Sequence, residues 1–134
     1  MRKVFTLLVI VAFIASCGNK EEPFDVLDAQ RHMQGIWDCT QGDMEEETYQ
    51  ITVAPYGLLH VAIKNLCKTG EESVLALLES ETSLLIQTQK KETFSIDGTG
   101  AISEGYNRMV LTLSFIDING AREVIVTCNK RAVQ

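Results

Sequence analysis

The sequence predicts an all-β protein: a small antiparallel meander barrel of eight or nine short strands, preceded by a short helix and an N-terminal signal helix. Three observations predict this fold. From residue 35 onward, apolar residues recur at every second position, β-branched and aromatic residues dominate the apolar segments, and Gly, Pro, Asn or Asp separates these segments at short intervals. Short strands joined by tight turns form a meander, and a domain of about 100 residues removes its exposed edges best by closing into a barrel.

The first element is an export signal. Arg2 and Lys3 form a positive start, and residues 4 to 14 are an apolar run interrupted only by Thr6. As a helix, this run would span roughly 16 Å, about half of a bilayer's hydrocarbon core. It is therefore predicted to be the apolar region of a signal peptide and not a membrane span.

The end of this run resembles the lipobox of bacterial lipoproteins, an aliphatic residue and two small residues before a cysteine: Ile14, Ala15, Ser16, Cys17. The resemblance implies that the Cys17 thiol receives diacylglycerol, that the chain is cut before it, and that the new amine is acylated. Three acyl chains would attach the protein to a membrane durably. The domains are then a signal peptide (1 to 16), a lipidated tether (17 to 23) and a barrel domain (24 to 134). The alternative is an ordinary signal peptide with an incidental cysteine.

The tether suggests a destination. Residue 18 is Gly, so the Asp that retains lipoproteins in the inner membrane of enteric bacteria is absent, and we expect an outer-membrane location. Residues 17 to 22 also resemble the basic-then-acidic tether that directs Bacteroidetes lipoproteins to the cell surface. A simple solvated, charged tether is the alternative interpretation.

Charge narrows the range of partners. The chain has 134 residues, with 12 basic against 18 acidic side chains, and two of the basic ones leave with the leader. The mature 118 residues would therefore carry about −8, which disfavours nucleic acid, because phosphate binding requires clustered Lys and Arg. This length is enough for one hydrophobic core.

The mature chain divides into short segments. Residues 24 to 33 have the spacing of a short helix or 3₁₀ turn, and Asn119-Gly120 is a strong hairpin signal. The run Asp97-Gly98-Thr99-Gly100 is interpreted as a turn. A helix remains an alternative for residues 74 to 78, because Leu occupies both faces there. The predicted strands begin at residue 35 and continue at 48 to 53, 58 to 66, 73 to 79, 84 to 89, 94 to 96, 108 to 116 and 122 to 128.

The start of the first strand resembles the Gly-x-Trp signature of lipocalin-type barrels: Gly35, Ile36, Trp37. In that family the Trp packs at the closed end of the barrel beneath a basic residue from the last strand, which implies Arg131 as the partner of Trp37. The order of the short β motifs over residues 35 to 130 is also similar to that of small Bacteroidetes lipoproteins described as lipocalin-like. The chain is about two-thirds of a full lipocalin in length, which argues against a large internal pocket.

Three cysteines remain after lipidation of Cys17, in an oxidising compartment. Cys39 lies in the first predicted strand and Cys128 in the last, and closure of the meander would make these strands neighbours. A Cys39–Cys128 disulfide would close a loop of about 90 residues and contribute roughly 4 kcal/mol in the loop-entropy model. The alternatives are a Cys39–Cys67 bridge and no bridge.

No motif indicates catalysis or metal binding. The cysteines are not closely spaced, and His32 and His60 lie far apart, with no nucleophile motif beside either. We therefore expect no cofactor and no metal, and a non-enzymatic module that binds an apolar small molecule or a protein partner. The second hypothesis is an envelope inhibitor or assembly factor that meets a basic protein through an acidic surface. A hydrolase is the third.

Overall fold

The computed structural model describes residues 24 to 42 and 46 to 132, and this part of the chain forms a closed eight-stranded antiparallel barrel preceded by one short helix. The elements are helix α1 (Val26–Met33) and strands β1 (Gly35–Gly42), β2 (Glu46–Tyr56), β3 (His60–Lys64), β4 (Ser73–Leu78), β5 (Ser83–Lys90), β6 (Ser95–Ile102), β7 (Arg108–Asp117) and β8 (Gly120–Lys130). Each strand pairs with the next, and β8 pairs with β1. The predicted meander barrel is confirmed, whereas the predicted signal helix lies outside the described residues.

Alternate burial explains why the Leu-rich segments are strands. In β4, Val74, Ala76 and Leu78 are buried inside the barrel, while the intervening residues are only half-buried on the outer wall. A period of two is the signature of a strand with one face in the core. The helix considered for residues 74 to 78 is thus a strand whose outer face also carries leucines.

The Asp97-Gly98-Thr99-Gly100 run is not a turn, which corrects the sequence interpretation. It forms the middle of β6 and pairs without interruption with β7, Gly98 opposite Leu113 and Gly100 opposite Leu111. A β-carbon added to Gly100 would lie 2.6 Å from Leu111 Cδ2 and 2.9 Å from Leu84 Cδ1. Gly100 therefore makes room for leucine side chains inside the barrel, whereas Gly98 allows the close approach of the β7 backbone, because a β-carbon there would collide with the Thr112 carbonyl oxygen.

The barrel has two different ends. The helix end carries α1, the β2–β3 and β4–β5 turns and the β6–β7 loop, whereas the far end carries the 3₁₀ helix Leu66–Lys68 and the β5–β6 and β7–β8 connections. Helix α1 begins at the N-cap Asp25, whose side chain accepts a hydrogen bond from the Asp28 backbone N–H at 3.1 Å. Within the described residues, no helix has the length and apolar character needed to cross a bilayer.

Candidate functional site

The interior of the barrel, where a larger barrel would hold a ligand, is occupied by side chains. All eight strands contribute buried residues to it, and the tight approach of Leu84 and Leu111 to Gly100 leaves no room there for even one methyl group. An eight-stranded barrel has an interior just wide enough for side chains to fill. In the described part of the chain, every buried side-chain nitrogen and oxygen already has a hydrogen-bond partner. Among the described residues, the interior therefore presents no unpaired polar side-chain atom to a ligand.

Trp37 joins helix α1 to the barrel. Its ring is buried, and its Nε1 donates a hydrogen bond to the Met33 carbonyl at 2.9 Å. Met33 is the last residue of α1, where carbonyl groups lack partners within the helix. Lys130, the register partner of Trp37 on β8, donates from Nζ to the neighbouring His32 carbonyl. Both side chains thus satisfy the C-terminal end of the helix.

Arg131 does not close the barrel over Trp37, so the predicted pair is corrected. Its guanidinium binds Asp38 on the outer wall, with Nη2 2.6 Å from Oδ1 and Nε 3.3 Å from Oδ2. Side chains alternate between the two faces of a strand, so the one-residue offset from Lys130 to Arg131 moves the cation from the inside to the outside. The basic residue at the closed end is Lys130.

Cys39 and Cys128 face each other across the β1–β8 seam. They are register partners, both are buried, and the Cys39 Sγ donates a hydrogen bond to the Cys128 Sγ at 2.7 Å. This hydrogen bond, followed by burial, raises the pKa of Cys128. Because Arg131 N–H bonds to the Ile36 carbonyl, the alternation of the ladder makes Cys39 and Cys128 a non-hydrogen-bonded pair. Both residues are thiols in this structure, and the disulfide between them stays a prediction.

A polar network that the sequence analysis missed lies at the far end. Tyr49 donates from its hydroxyl to the buried Gln41 Oε1 at 3.0 Å and accepts from the Cys67 backbone N–H at 3.1 Å. Burial, followed by the proximity of Cys67, raises the pKa of Tyr49. The phenol is therefore held protonated as a structural donor. The available signal was the position of Gln41, two residues after Cys39 on the inward face of β1.

The barrel wall opens slightly between β4 and β5. These strands share only the pairs Leu77 with Leu85 and Leu78 with Leu84, and β5 is irregular after Ile86. The Gln89 amide replaces the missing ladder, because it accepts from the Leu75 N–H at 2.9 Å and donates to the Leu75 carbonyl at 2.7 Å. A pocket of about 130 Å³ remains on the outer surface here, and His60 lies at its edge.

Large apolar side chains project from two hairpins at opposite ends of the barrel. Leu58, in the β2–β3 turn at the helix end, is 84% exposed, and Ile118, in the β7–β8 turn at the far end, is 96% exposed. Beside the second hairpin, the Arg122 guanidinium lies 5.0 Å from the centre of the Phe115 ring. The apolar surface available to a partner is therefore on the outside of the barrel.

The other cysteine and the two histidines singled out in the sequence lie apart from one another or outside the described residues. Cys17 lies outside the described residues. His32 stacks on Tyr106 with ring centres 5.3 Å apart at the helix end, and His60 begins β3. Among residues 24 to 42 and 46 to 132, no three His, Cys, Asp or Glu side chains form a group that could hold a metal ion.

These features define a small closed meander barrel with a side-chain-filled interior. No family model and no curated protein matches the chain. Among solved structures, it is similar to a redesigned β-barrel, with a TM-score of 0.51, 10% identity, and coverage of 78% of this chain and 96% of the other. This similarity supports the barrel fold and carries no information about function.

Proposed function

We propose that this protein is a lipid-anchored lipoprotein of the bacterial envelope whose barrel is a non-enzymatic module for binding a protein partner. The anchor is supported by the sequence Ile14-Ala15-Ser16-Cys17 at the end of an apolar leader segment. The described barrel begins shortly after it, with Phe24 packed against the core. Six residues, 18 to 23, would then separate the acylated cysteine from the folded domain.

The filled interior of the barrel is the main observation in favour of binding through the outer surface. A pocket for an apolar small molecule requires an unoccupied cavity lined by apolar groups and a few polar ones. Here the buried side chains of the strands form one contiguous hydrophobic cluster, and Leu84 and Leu111 pack directly on Gly100. Binding through the outer surface of the barrel is therefore favoured over enclosure of a ligand.

Charge favours one kind of partner. The mature chain would carry about −8, since Arg2 and Lys3 are lost with the leader. A surface of this sign accelerates association with a basic protein and slows association with an acidic one. An inhibitor or assembly factor acting on a basic envelope protein is accordingly the second candidate, and it uses the same outer surface.

The non-enzymatic role is supported by the phenol and thiol groups whose pKa is shifted, because the shifts keep them protonated. The pKa values of Tyr49, Tyr106 and Cys128 are all raised, with burial among the causes in each case. A raised pKa keeps a phenol or a thiol protonated, and a protonated thiol is a poor nucleophile. Activation of a nucleophile requires the opposite shift.

The anchor is tested by metabolic labelling with a palmitate analogue. Wild-type cells should label the protein, and Cys17→Ala should abolish labelling, whereas Cys67→Ala, which changes a cysteine in the folded domain, should label like wild type. Equal labelling of wild type and Cys17→Ala would reject the anchor.

Display of the protein on the cell surface is tested separately by proteinase treatment of intact cells. Full protection of the protein would reject surface display.

A further inference from the structure

The β2–β3 hairpin projects beyond the rim of the barrel and carries no charge. Residues 54 to 59, Ala-Pro-Tyr-Gly-Leu-Leu, are all exposed, although they extend two strands whose inner residues Val53 and Val61 are buried. Tyr56 is 52% exposed and Leu59 49% exposed. We call residues 54 to 59 the apolar hairpin. Exposed apolar surface of this kind marks a contact site with a partner or a membrane.

The apolar hairpin is fixed to the helix that follows the tether. The buried Gln30 of α1 donates from Nε2 to the Gly57 carbonyl at 3.2 Å and to the His60 carbonyl at 2.7 Å. Leu27 precedes Gln30 by three residues and therefore lies on the same side of the helix. It is 66% exposed. The start of α1 and the hairpin thus present their apolar side chains on one end of the molecule.

The short tether favours the helix end as the end of the barrel that faces the membrane. Residues 17 to 23 can span at most about 25 Å when fully extended. They join the domain at the helix end, because α1 contacts β2 and β3 and leads directly into β1. A strand of eight residues is about 26 Å long, so the far end could reach the anchor's bilayer only with the tether nearly fully extended alongside the barrel. The helix end needs no such extension.

We infer that the apolar hairpin, together with Leu27, rests on the lipid bilayer that holds the acyl chains of Cys17, an inference that depends on the proposed anchoring. Leucine side chains favour the apolar side of the interface, and the ring of Tyr56 suits the headgroup level. This end carries exposed charges of both signs, Glu81 and Glu104 in the adjacent turns and Arg31 and Arg108 at the ends of α1 and β7, so it fits a surface of zwitterionic headgroups better than one of a single sign. The far end then points away from the membrane, toward the partner.

Tryptophan placed at the two hairpin tips tests this orientation. The full-length chain is produced with its leader, purified in acylated form, and reconstituted into phosphatidylcholine vesicles with or without brominated acyl chains. Leu58→Trp reports on the helix end, and Ile118→Trp, at a similarly exposed tip of the far end, is the matched control. Trp37 is buried and gives a constant background that is measured in wild type.

The expected result is a blue-shifted emission for Leu58→Trp that brominated lipid quenches, while Ile118→Trp keeps the emission of a solvated indole and is not quenched. An unquenched Leu58→Trp, or equal quenching at both positions, would overturn the inference. Intact mass spectrometry of the same samples separates the two claims. A Cys17 without acyl chains refutes the anchoring and the membrane contact together, whereas an acylated Cys17 with an unquenched Leu58→Trp refutes the membrane contact alone.

Discussion

Oxidation of Cys39 and Cys128 is expected to stabilise the barrel strongly, because the bond would join its first and last strands. The two residues are 89 positions apart and occupy a non-hydrogen-bonded pair of the β1–β8 ladder. Cα atoms in such pairs are about 4.5 Å apart, which lies inside the range that a disulfide spans. For a loop of this length, the chain-entropy model gives about 4 to 5 kcal/mol. A small domain commonly has a total stability of about 5 to 15 kcal/mol, so the effect would be large.

The measurement compares urea unfolding of the same wild-type protein with and without a reductant, so that no side chain changes. The oxidised protein should unfold at a clearly higher urea midpoint, and alkylation after denaturation should leave Cys39 and Cys128 unmodified. Cys67→Ser should behave like wild type in both respects. Alkylation of both thiols in protein prepared under oxidising conditions, or the same unfolding midpoint for the oxidised and reduced proteins, would contradict a stabilising Cys39–Cys128 bond.

Two further predictions concern the core and its pH dependence. Gly100→Ala should lower the free energy of unfolding by about 1 to 3 kcal/mol, because its methyl group would overpack the interior. The control Gly42→Ala, with open space around it, should stay within about 1 kcal/mol of wild type. Equal effects of the two substitutions in denaturant unfolding would contradict the filled interior. Tyr49→Phe should cost about 1 to 2 kcal/mol at neutral pH by leaving Gln41 and the Cys67 N–H without their phenol partner. The fold raises the pKa of Tyr49 above its ordinary 10.0, so above pH 10 the phenol ionises in the unfolded chain before it ionises in the folded one. The contribution of Tyr49 to the free energy of unfolding is therefore complete below pH 10, and it falls by up to about 1.4 kcal/mol per pH unit as the pH rises further. Tyr49→Phe should therefore flatten the alkaline loss of stability, and an unchanged slope would show that Tyr49 is not its source.

Strand existence was predictable from the sequence because burial alternates along nearly every strand. The pattern in residues 108 to 116 required one face in a core, and β7 has that face buried. The hairpin expected at Asn119-Gly120 is present, with Ile118 and Asn119 in the turn and Gly120 paired with Asp117. The turn is shifted by one residue, since local propensity fixes a turn less precisely than the register of a ten-residue strand.

The errors came from features that depend on distant residues. Gly98 and Gly100 resemble a turn locally, but leucines from β5 and β7 need the space beside Gly100, and the β7 backbone lies against Gly98. Lys130 and Arg131 are adjacent cations at the end of the last strand, and only the register against Trp37 determines which one faces inward. Neither the packing of side chains across a barrel nor the exact seam register can be read from one sequence.

The features of the candidate site were likewise predictable only where they follow from strand order. The sequence located Cys39 and Cys128 in the first and last strands, and closure of the meander places them opposite each other. The network of Tyr49 with Gln41 escaped prediction because it joins two strands through side chains alone. The exposure of the apolar hairpin was also not predictable, because Leu59 continues the alternation of the buried Val61 and Ile63 although it lies beyond the rim of the barrel.

The claim that the barrel is filled and binds from the outside is tested most directly by native mass spectrometry of the mature protein, residues 17 to 134. The expected mass is that of the polypeptide with its covalent modifications and no noncovalent small molecule. A stoichiometric apolar molecule that co-purifies with the barrel, and is released on collisional activation, would contradict it and would restore an enclosed ligand as the function of the fold.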